Sequence, residues 1–354
     1  MTITKKEISV VIGEELIGLM RQIVELAWMG TFLQAWIISA LIMFGITASA
    51  RYHARWSAGP VEAIQKMHQG PVPRIGGLAI VCGIWFGLLA VGPLQIHPII
   101  LITAIASSII FAIGFAEDLS GTISVLWRLL LTFIPGGALA YQTHLYLSHL
   151  GWAPADALLS SPWIAITFTA FALAGVTHAF NLIDGLNGLV SYTSLWILGP
   201  YLGLAYLYDD HLIMQMCLLL VAPILGFLFF NWPWGKCFLG DGGAYLLGFS
   251  LAWIGVMLVE RHLSISPFAP LLICAYPVIE ALYSIARRIQ NKASSGAPDR
   301  SHLHHLFKMG LVKPWLKDCD LSSVKSNSIA GLSVSLLSVP FMASPSTFRT
   351  NMQC

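Results

Sequence analysis

The chemistry in this chain is concentrated in five short polar stretches: KMHQGPVPRIGG (66–77), GFAEDLSG (114–121), NLIDGLNGL (181–189), NWPWGKCFLGDGG (231–243) and RRIQNKASSGAPDRSHLHH (287–305). They supply carboxylates at Glu117, Asp118, Asp184 and Asp241, and amides at Asn181, Asn187 and Asn231. Basic or imidazole groups come from Lys66, Arg74, Lys236, Arg287, Arg300, His302, His304 and His305. Charges set between long apolar runs are expensive unless they bind or react. Carboxylates interspersed with Lys, Arg and His suit a divalent-metal phosphate site. Mg²⁺ takes oxygen ligands, uses one or two carboxylates and completes its shell with water and phosphate. The basic groups would neutralise the rest of a diphosphate. Zinc fits less well, because the three histidines lack a Cys or HExxH-type partner. Neither a P-loop nor a GxSxG nucleophile motif is present.

Each group also has a plainer explanation. Asp118 and Asp241 could serve as helix caps. The histidines could form an exposed polar loop, and Trp232 and Trp234 read as interfacial anchors. Lys66, Arg74, Arg287 and Arg288 could mark topology alone, which is the simpler account of Arg74 and Arg288. Glu280 falls inside an apolar run one heptad before Arg287, where a Glu280–Arg287 pair would be purely structural. The six cysteines are scattered without a CxxC pair and read as small apolar fillers.

Membrane helices must position these groups. The chain of 354 residues is 56% hydrophobic and 10% charged, against about a quarter charged in soluble domains. Apolar runs of the length needed to cross a hydrocarbon core of ~30 Å recur along it. The expected fold is all-α and polytopic, with ten spans near 29–50, 75–93, 98–115, 123–141, 163–180, 189–206, 212–230, 244–259, 267–285 and 329–342. Residues 1–28 read as an amphipathic or extra segment, 29–342 as one domain and 343–354 as a polar tail. With that count the five polar stretches share one side of the bilayer, which also collects most Lys and Arg and is therefore cytoplasmic. Asp209-Asp210-His211 and Glu260-Arg261-His262 on the other side read as solvated loops.

The motifs PVPRIGG, GFAEDLSG, AFNLIDGLNGL, FNWPWGKCFLGDGG and PDRSHLHHL, in this order across residues 60–310, resemble the polyprenyl-phosphate N-acetylhexosamine-1-phosphate transferase family. That family includes the phospho-N-acetylmuramoyl-pentapeptide translocase and the undecaprenyl-phosphate N-acetylglucosamine-1-phosphate transferases. The resemblance implies a ten- or eleven-span bacterial inner-membrane enzyme with a cytoplasmic site. Its cofactor would be Mg²⁺, with Mn²⁺ as a substitute. It implies transfer of sugar-1-phosphate from a UDP-N-acetylhexosamine to undecaprenyl phosphate, with release of UMP. It further implies Asp241 as the principal metal aspartate, with Asn181 and Asp184 beside it. Asp118 would be the base toward the lipid phosphate, with Glu117 next to it. Asn231 and Phe238 would hold the uridine and Lys236 would contact phosphate, with Asn187, Lys66 and Arg287 also counted as substrate-binding. Arg300, His302, His304 and His305 would grip the diphosphate and sugar. The SHLHH and AEDLSG forms resemble the small-sugar branch that serves O-antigen and other surface polysaccharides.

This chain departs from the family pattern at three points. Glu117-Asp118 stands where Asp-Asp is usual, Asn187 replaces a common Asp, and the tenth span is short and rich in Ser. A one-step displacement and a route through an aspartyl-phosphate both fit the residues. Nothing points to nucleic acid, and a homodimer is compatible with a sequence that carries no signal for oligomeric state. The competing class is a secondary transporter, whose ionisable groups would gather near the bilayer midplane rather than at one surface.

Overall fold

Prolines, glycines and short polar caps cut the apolar sequence into helices. The computed structural model describes residues 28–57, 72–91, 96–291, 302–312, 314 and 323–341. Among them all repetitive structure is helical. In chain order the helices are α1 (Trp28–Ala48), α2 (Ala50–Ser57), α3 (Gly77–Val91), α4 (Pro98–Ser120), α5 (Val125–Thr143), α6 (Ala153–Leu159), α7 (Pro162–Ile183) and α8 (Leu189–Leu207). There follow α9 (His211–Asn231), α10 (Gly240–Arg261), α11 (Ala269–Ile273), α12 (Ala275–Gln290), α13 (Leu303–Phe307) with a π-helical turn Lys308–Val312, and α14 (Ser323–Ser335) with a 3-10 turn Leu336–Phe341.

Local chemistry sets the ends. The α4 helix starts where His97 accepts the N–H of Ile99 ahead of Pro98, and it stops at Gly121 in the left-handed region. The α9 helix starts where the Asp210 side chain accepts the N–H of Ile213. Pro277 can neither donate to the Ile273 carbonyl nor tolerate its closeness, and the expected span 267–285 divides into α11 and α12 at Cys274.

Five helices, α1, α4, α7, α9 and α10, are long and apolar enough to cross a membrane among the described residues. The chain is therefore a multi-pass membrane protein. The expected span 75–93 is the 15-residue apolar helix α3. The expected tenth span, 329–342, instead begins at Ser323 as a helix of mixed polarity. The segments 1–27 and 342–354 lie outside the described residues.

The α10 helix is the axis of the bundle. Its most apolar 18-residue window is 100% buried, with α3, α4, α7 and α8 around it. Trp253, Tyr245 and Phe249 on α10 are fully enclosed. Outward-facing Leu33, Leu89, Ile109, Leu126, Phe171 and Phe229 present the apolar surface that a bilayer requires.

At the end of the bundle where α10 finishes, the loops read as solvated are in fact locked. Asp210 is buried and accepts from Arg261 Nε at 2.7 Å, Arg261 Nη2 at 3.1 Å and His262 Nε2 at 2.8 Å. Burial works against its charge, but these donors outweigh that effect and hold the carboxyl below its ordinary pKa. Glu260 accepts the backbone N–H and the hydroxyl of Ser148, each at 2.9 Å.

Candidate active site

Glycine makes the site possible by letting three helix ends meet backbone to backbone. A Cβ at Gly77, opening α3, would come within 2.5 Å of the Gly243 backbone on α10. A Cβ at Gly114 on α4 would come within 2.7 Å of the Asp241 backbone. The chain before α3 also pairs with the chain before α10: Phe238 N–H donates to Pro73 O at 2.8 Å, and Gly76 and Gly77 donate to Phe238 O and Leu239 O at 2.9 Å. Gly240 turns into α10 at φ 78°, a conformation that favours glycine. GFAEDLSG, PVPRIGG and GDGG, far apart in sequence, thus become one surface.

Asp118 and Asp241 meet at that surface. Asp118 accepts the Gly242 backbone N–H at 3.0 Å. Arg74 Nη2 lies 3.4 Å from Asp241 and 4.0 Å from Asp118. Arg128 Nη1 lies 3.5 Å from both Glu117 and Asp241. Asp241, with 15% of its side chain exposed, is the accessible carboxylate, and Asp118 at 3% lies behind it. Burial works against the Arg74 charge, but Asp241, Asp118, Asp184 and Glu117 outweigh it and raise its pKa. Glu117 also accepts the Ile123 N–H at 2.8 Å, closing the turn into α5.

Asp184 caps the end of α7 and belongs to the same electrostatic field. Burial pushes its carboxyl up to about 7; the Arg74 guanidinium opposes that rise and the Asp241 charge adds to it. Asn181 lies partly exposed on the last turn of α7. The amides beyond it turn inward. Asn187 is buried and donates to Ser328 Oγ at 3.1 Å. Asn231 accepts the Gly188 N–H at 2.6 Å and donates to Cys237 O at 2.8 Å, which ties the loop after α7 to the loop before α10. Lys236 is exposed and Phe238 partly buried.

The histidine segment packs against this floor. Glu280, expected beside Arg287, instead faces His302 Nδ1 at 3.1 Å and accepts the Leu303 N–H at 2.9 Å. Arg287 lies over the Tyr283 ring at 5.4 Å. His304 is buried, and a Cβ at Gly185 would collide with its Nε2. Burial, and then His305 and His302 beside it, push the His304 imidazole well below its ordinary pKa. His305 lies against it with the ring centroids 4.4 Å apart and the planes tilted by 41°. Lys66 and Arg300 lie outside the described residues.

The donor set fits a hard cation. It is all oxygen, spread over Asp241, Asp118 and Asp184, with Asp241 and Asp184 partly exposed. No three His, Cys, Asp or Glu groups among the described residues close a cage by themselves. Arg128 Nε and His304 Nδ1 are buried without a hydrogen-bond partner among the described residues, leaving capacity for a polar ligand.

Sequence reasoning missed four contributors. Arg74 was read as a topology marker and Arg128 was given no role at the site; both pair with the aspartates. Asn327 and Ser328, on the helix read as a weak span, hold Asn187.

The chain is similar to known proteins over much of its length. Residues 100–259, which span α4 to α10, match the profile for Glycosyl transferase family 4. The chain is 31% identical over 283 residues to the probable undecaprenyl-phosphate N-acetylglucosaminyl 1-phosphate transferase of Bacillus subtilis (strain 168), covering 78% of this chain and 77% of that one. It is 30% identical over 254 residues to the undecaprenyl-phosphate alpha-N-acetylglucosaminyl 1-phosphate transferase of Yersinia pestis, covering 69% and 67%. The protein of that name from Escherichia coli (strain K12) is 30% identical over 249 residues, with the same coverage. With its glycine-joined helix ends and paired aspartates, the chain belongs to glycosyl transferase family 4, among relatives of the undecaprenyl-phosphate N-acetylglucosaminyl 1-phosphate transferases.

Proposed function

We propose that this protein transfers N-acetylglucosamine-1-phosphate, or a closely related N-acetylhexosamine-1-phosphate, from its UDP-sugar to undecaprenyl phosphate and releases UMP. The observation that carries this reading is the cluster of Asp118, Asp241, Arg74 and Arg128 at the ends of α4 and α10. Ionised groups gathered at helix ends suit a reaction at the membrane surface, where a lipid phosphate meets a soluble nucleotide. They do not suit the midplane site of a transporter.

Mg²⁺ would be held by Asp241 with help from Asp184 and Asn181, where it would screen the diphosphate's charge. Arg74 and Arg128, which neutralise the aspartates, are placed to turn toward phosphate oxygens as the donor enters. Lys236 stands exposed on the loop that leads to α10. A phosphate monoester is largely dianionic at neutral pH, its second pKa being about 6. The acceptor oxygen therefore needs little help in losing a proton. It attacks the β-phosphorus in line, the bond from that phosphorus to the bridging oxygen breaks, and UMP departs. Positioning and charge neutralisation supply the rate. Asp118, behind Asp241, holds α10 and Arg74 in place for this step.

The reading includes a single polytopic domain of about ten spans in a bacterial inner membrane, with the site cytoplasmic and its product feeding O-antigen or another surface polysaccharide. The excess of Lys and Arg on the site side supports that orientation. The test is an assay of purified full-length protein with undecaprenyl phosphate, a panel of UDP-sugars, and Mg²⁺ or EDTA. Metal-dependent release of UMP with formation of the lipid-linked sugar diphosphate is expected. Tight UDP-sugar binding without product would overturn the reading.

A further inference from the structure

The helix α14 looks unsuited to a membrane because of Ser326, Asn327, Ser328 and Ser335, yet all four are buried. Their partners explain why. Lys308 Nζ, one residue past α13, donates to Asn327 Oδ1 at 3.1 Å. Asn327 Nδ2 donates to Asn187 Oδ1 at 3.3 Å, in the turn that follows Asp184. Asn187 Nδ2 donates to Ser328 Oγ at 3.1 Å. Ser328 Oγ donates to Pro233 O at 2.8 Å, and Trp232 Nε1 donates to Ser328 O at 3.0 Å. Three segments that line the site, namely the histidine helix, the Asp184 turn and the loop leading to Asp241, are therefore joined through two adjacent residues of one helix.

The fit leaves no slack. A Cβ at Gly331 of α14 would collide with the Asn187 carbonyl, and one at Gly235 would come within 2.6 Å of the Asn187 amide nitrogen. The network also accounts for the amide at position 187. Its side chain both donates and accepts here, and an ionised carboxylate can only accept. Buried polar networks satisfied in this way fix one arrangement of their surroundings.

We propose that α14 is the positioning element of the active site and that Asn327 is the residue through which it sets the distance between the histidine helix and the Asp184 turn. The proposal rests on the transferase reading above. Asn327 is a positioning residue: it bonds to Asn187 and Lys308 rather than to the carboxylate cluster. Misplacement of a site by about 1 Å from a remote change can cost on the order of 100-fold in rate.

The test compares Asn327→Ala with Ser335→Ala in the full-length protein. Ser335 accepts a hydrogen bond from Trp196 at 3.2 Å farther along the same helix and is remote from this network. Donor KM and kcat are measured with UDP-N-acetylglucosamine, undecaprenyl phosphate and Mg²⁺. Hydrogen exchange is followed across residues 184–188 and 302–308. Asn327→Ala is expected to lower kcat/KM for the donor by about 10- to 100-fold, chiefly through KM, and to speed exchange in both segments. Ser335→Ala is expected to lower thermal stability without either change. Asn327→Ser, which keeps a polar group, gives the same reading if the alanine variant does not fold. Equal effects of the Asn327 and Ser335 changes, or unaltered exchange in the Asn327 variant, would overturn the proposal. An inactive wild-type protein would refute the transferase reading, and the exchange experiment would then decide the positioning role by itself.

Discussion

The Asp118 carboxylate accepts the backbone N–H of Gly242 at 3.0 Å, so the last turn of α4 is bonded to the first turn of α10 one residue from Asp241. The carboxylate expected to act toward the lipid phosphate thereby also braces the neighbouring aspartate. Asp118→Asn keeps an acceptor for Gly242 but loses the charge that shares Arg74. Arg74 is then expected to settle on Asp241 and compete with the cation, so that half-saturation requires several-fold more Mg²⁺. A Mg²⁺ titration of UMP release measures this. Loss of a general base would instead lower kcat by about 10²–10⁴-fold with the Mg²⁺ midpoint unchanged.

The acidic residues differ in what surrounds them. Asp241→Asn is expected to abolish transfer nearly completely, because an amide cannot supply the charge that holds the cation. Glu117→Gln still accepts the Ile123 N–H, and Arg128 retains Asp241, so transfer should fall less than tenfold. Initial rates at saturating Mg²⁺ rank the two. Equal damage would move Glu117 into the metal site.

The glycine contacts give a steric test. Gly114→Ala places a methyl group within 2.7 Å of the Asp241 backbone, which should separate α4 from α10. A stability loss of about 1–3 kcal/mol is expected, with a larger loss of activity. Gly175, on α7, has nothing within 4 Å of an added Cβ. Gly175→Ala should therefore be neutral or should stabilise by about 0.5–1 kcal/mol through helix propensity. Thermal unfolding in detergent reads both.

At the opposite end of the bundle, Asp210 makes stability depend on pH. Its folded pKa lies below the ordinary carboxyl value, so its contribution is complete above the unfolded pKa and is lost as pH falls through the folded one. Asp210→Ala should cost about 3 kcal/mol at pH 7, because Arg261 loses its bidentate partner. Wild type and variant should converge in stability as pH falls through the folded-state pKa of Asp210, since a protonated Asp210 contributes no ion pair. An unfolding series from pH 7 downward checks the convergence.

What could be read from sequence divides along the distance over which each group acts. Asp118, Asp184 and Asp241 stood out because each lies in a short motif at the edge of an apolar run, where a charge needs a local reason. Arg74 carried no such mark: its partner is 167 positions away, and only the glycine contacts bring them together. Asn187 sits in the most polar turn of the chain and read as a ligand, but its hydrogen bonds go to residues 140 and 141 positions later. The Ser-rich α14 scored as a poor span because hydropathy cannot distinguish a polar face turned to lipid from one turned to a buried network. The division at Cys274 was written locally in Pro277, whose effect on the preceding carbonyl needs no long-range partner.

Enclosure of α10 decides where the enzyme can flex. Asp241 stands on the element with the most neighbours, and its glycines touch backbone on both sides, so even a small tilt would collide with α3 and α4. Asp241 therefore behaves as a fixed anvil. Whatever admits substrate and releases product must move around Asp241 rather than move it, which separates that work from the group that must stay still.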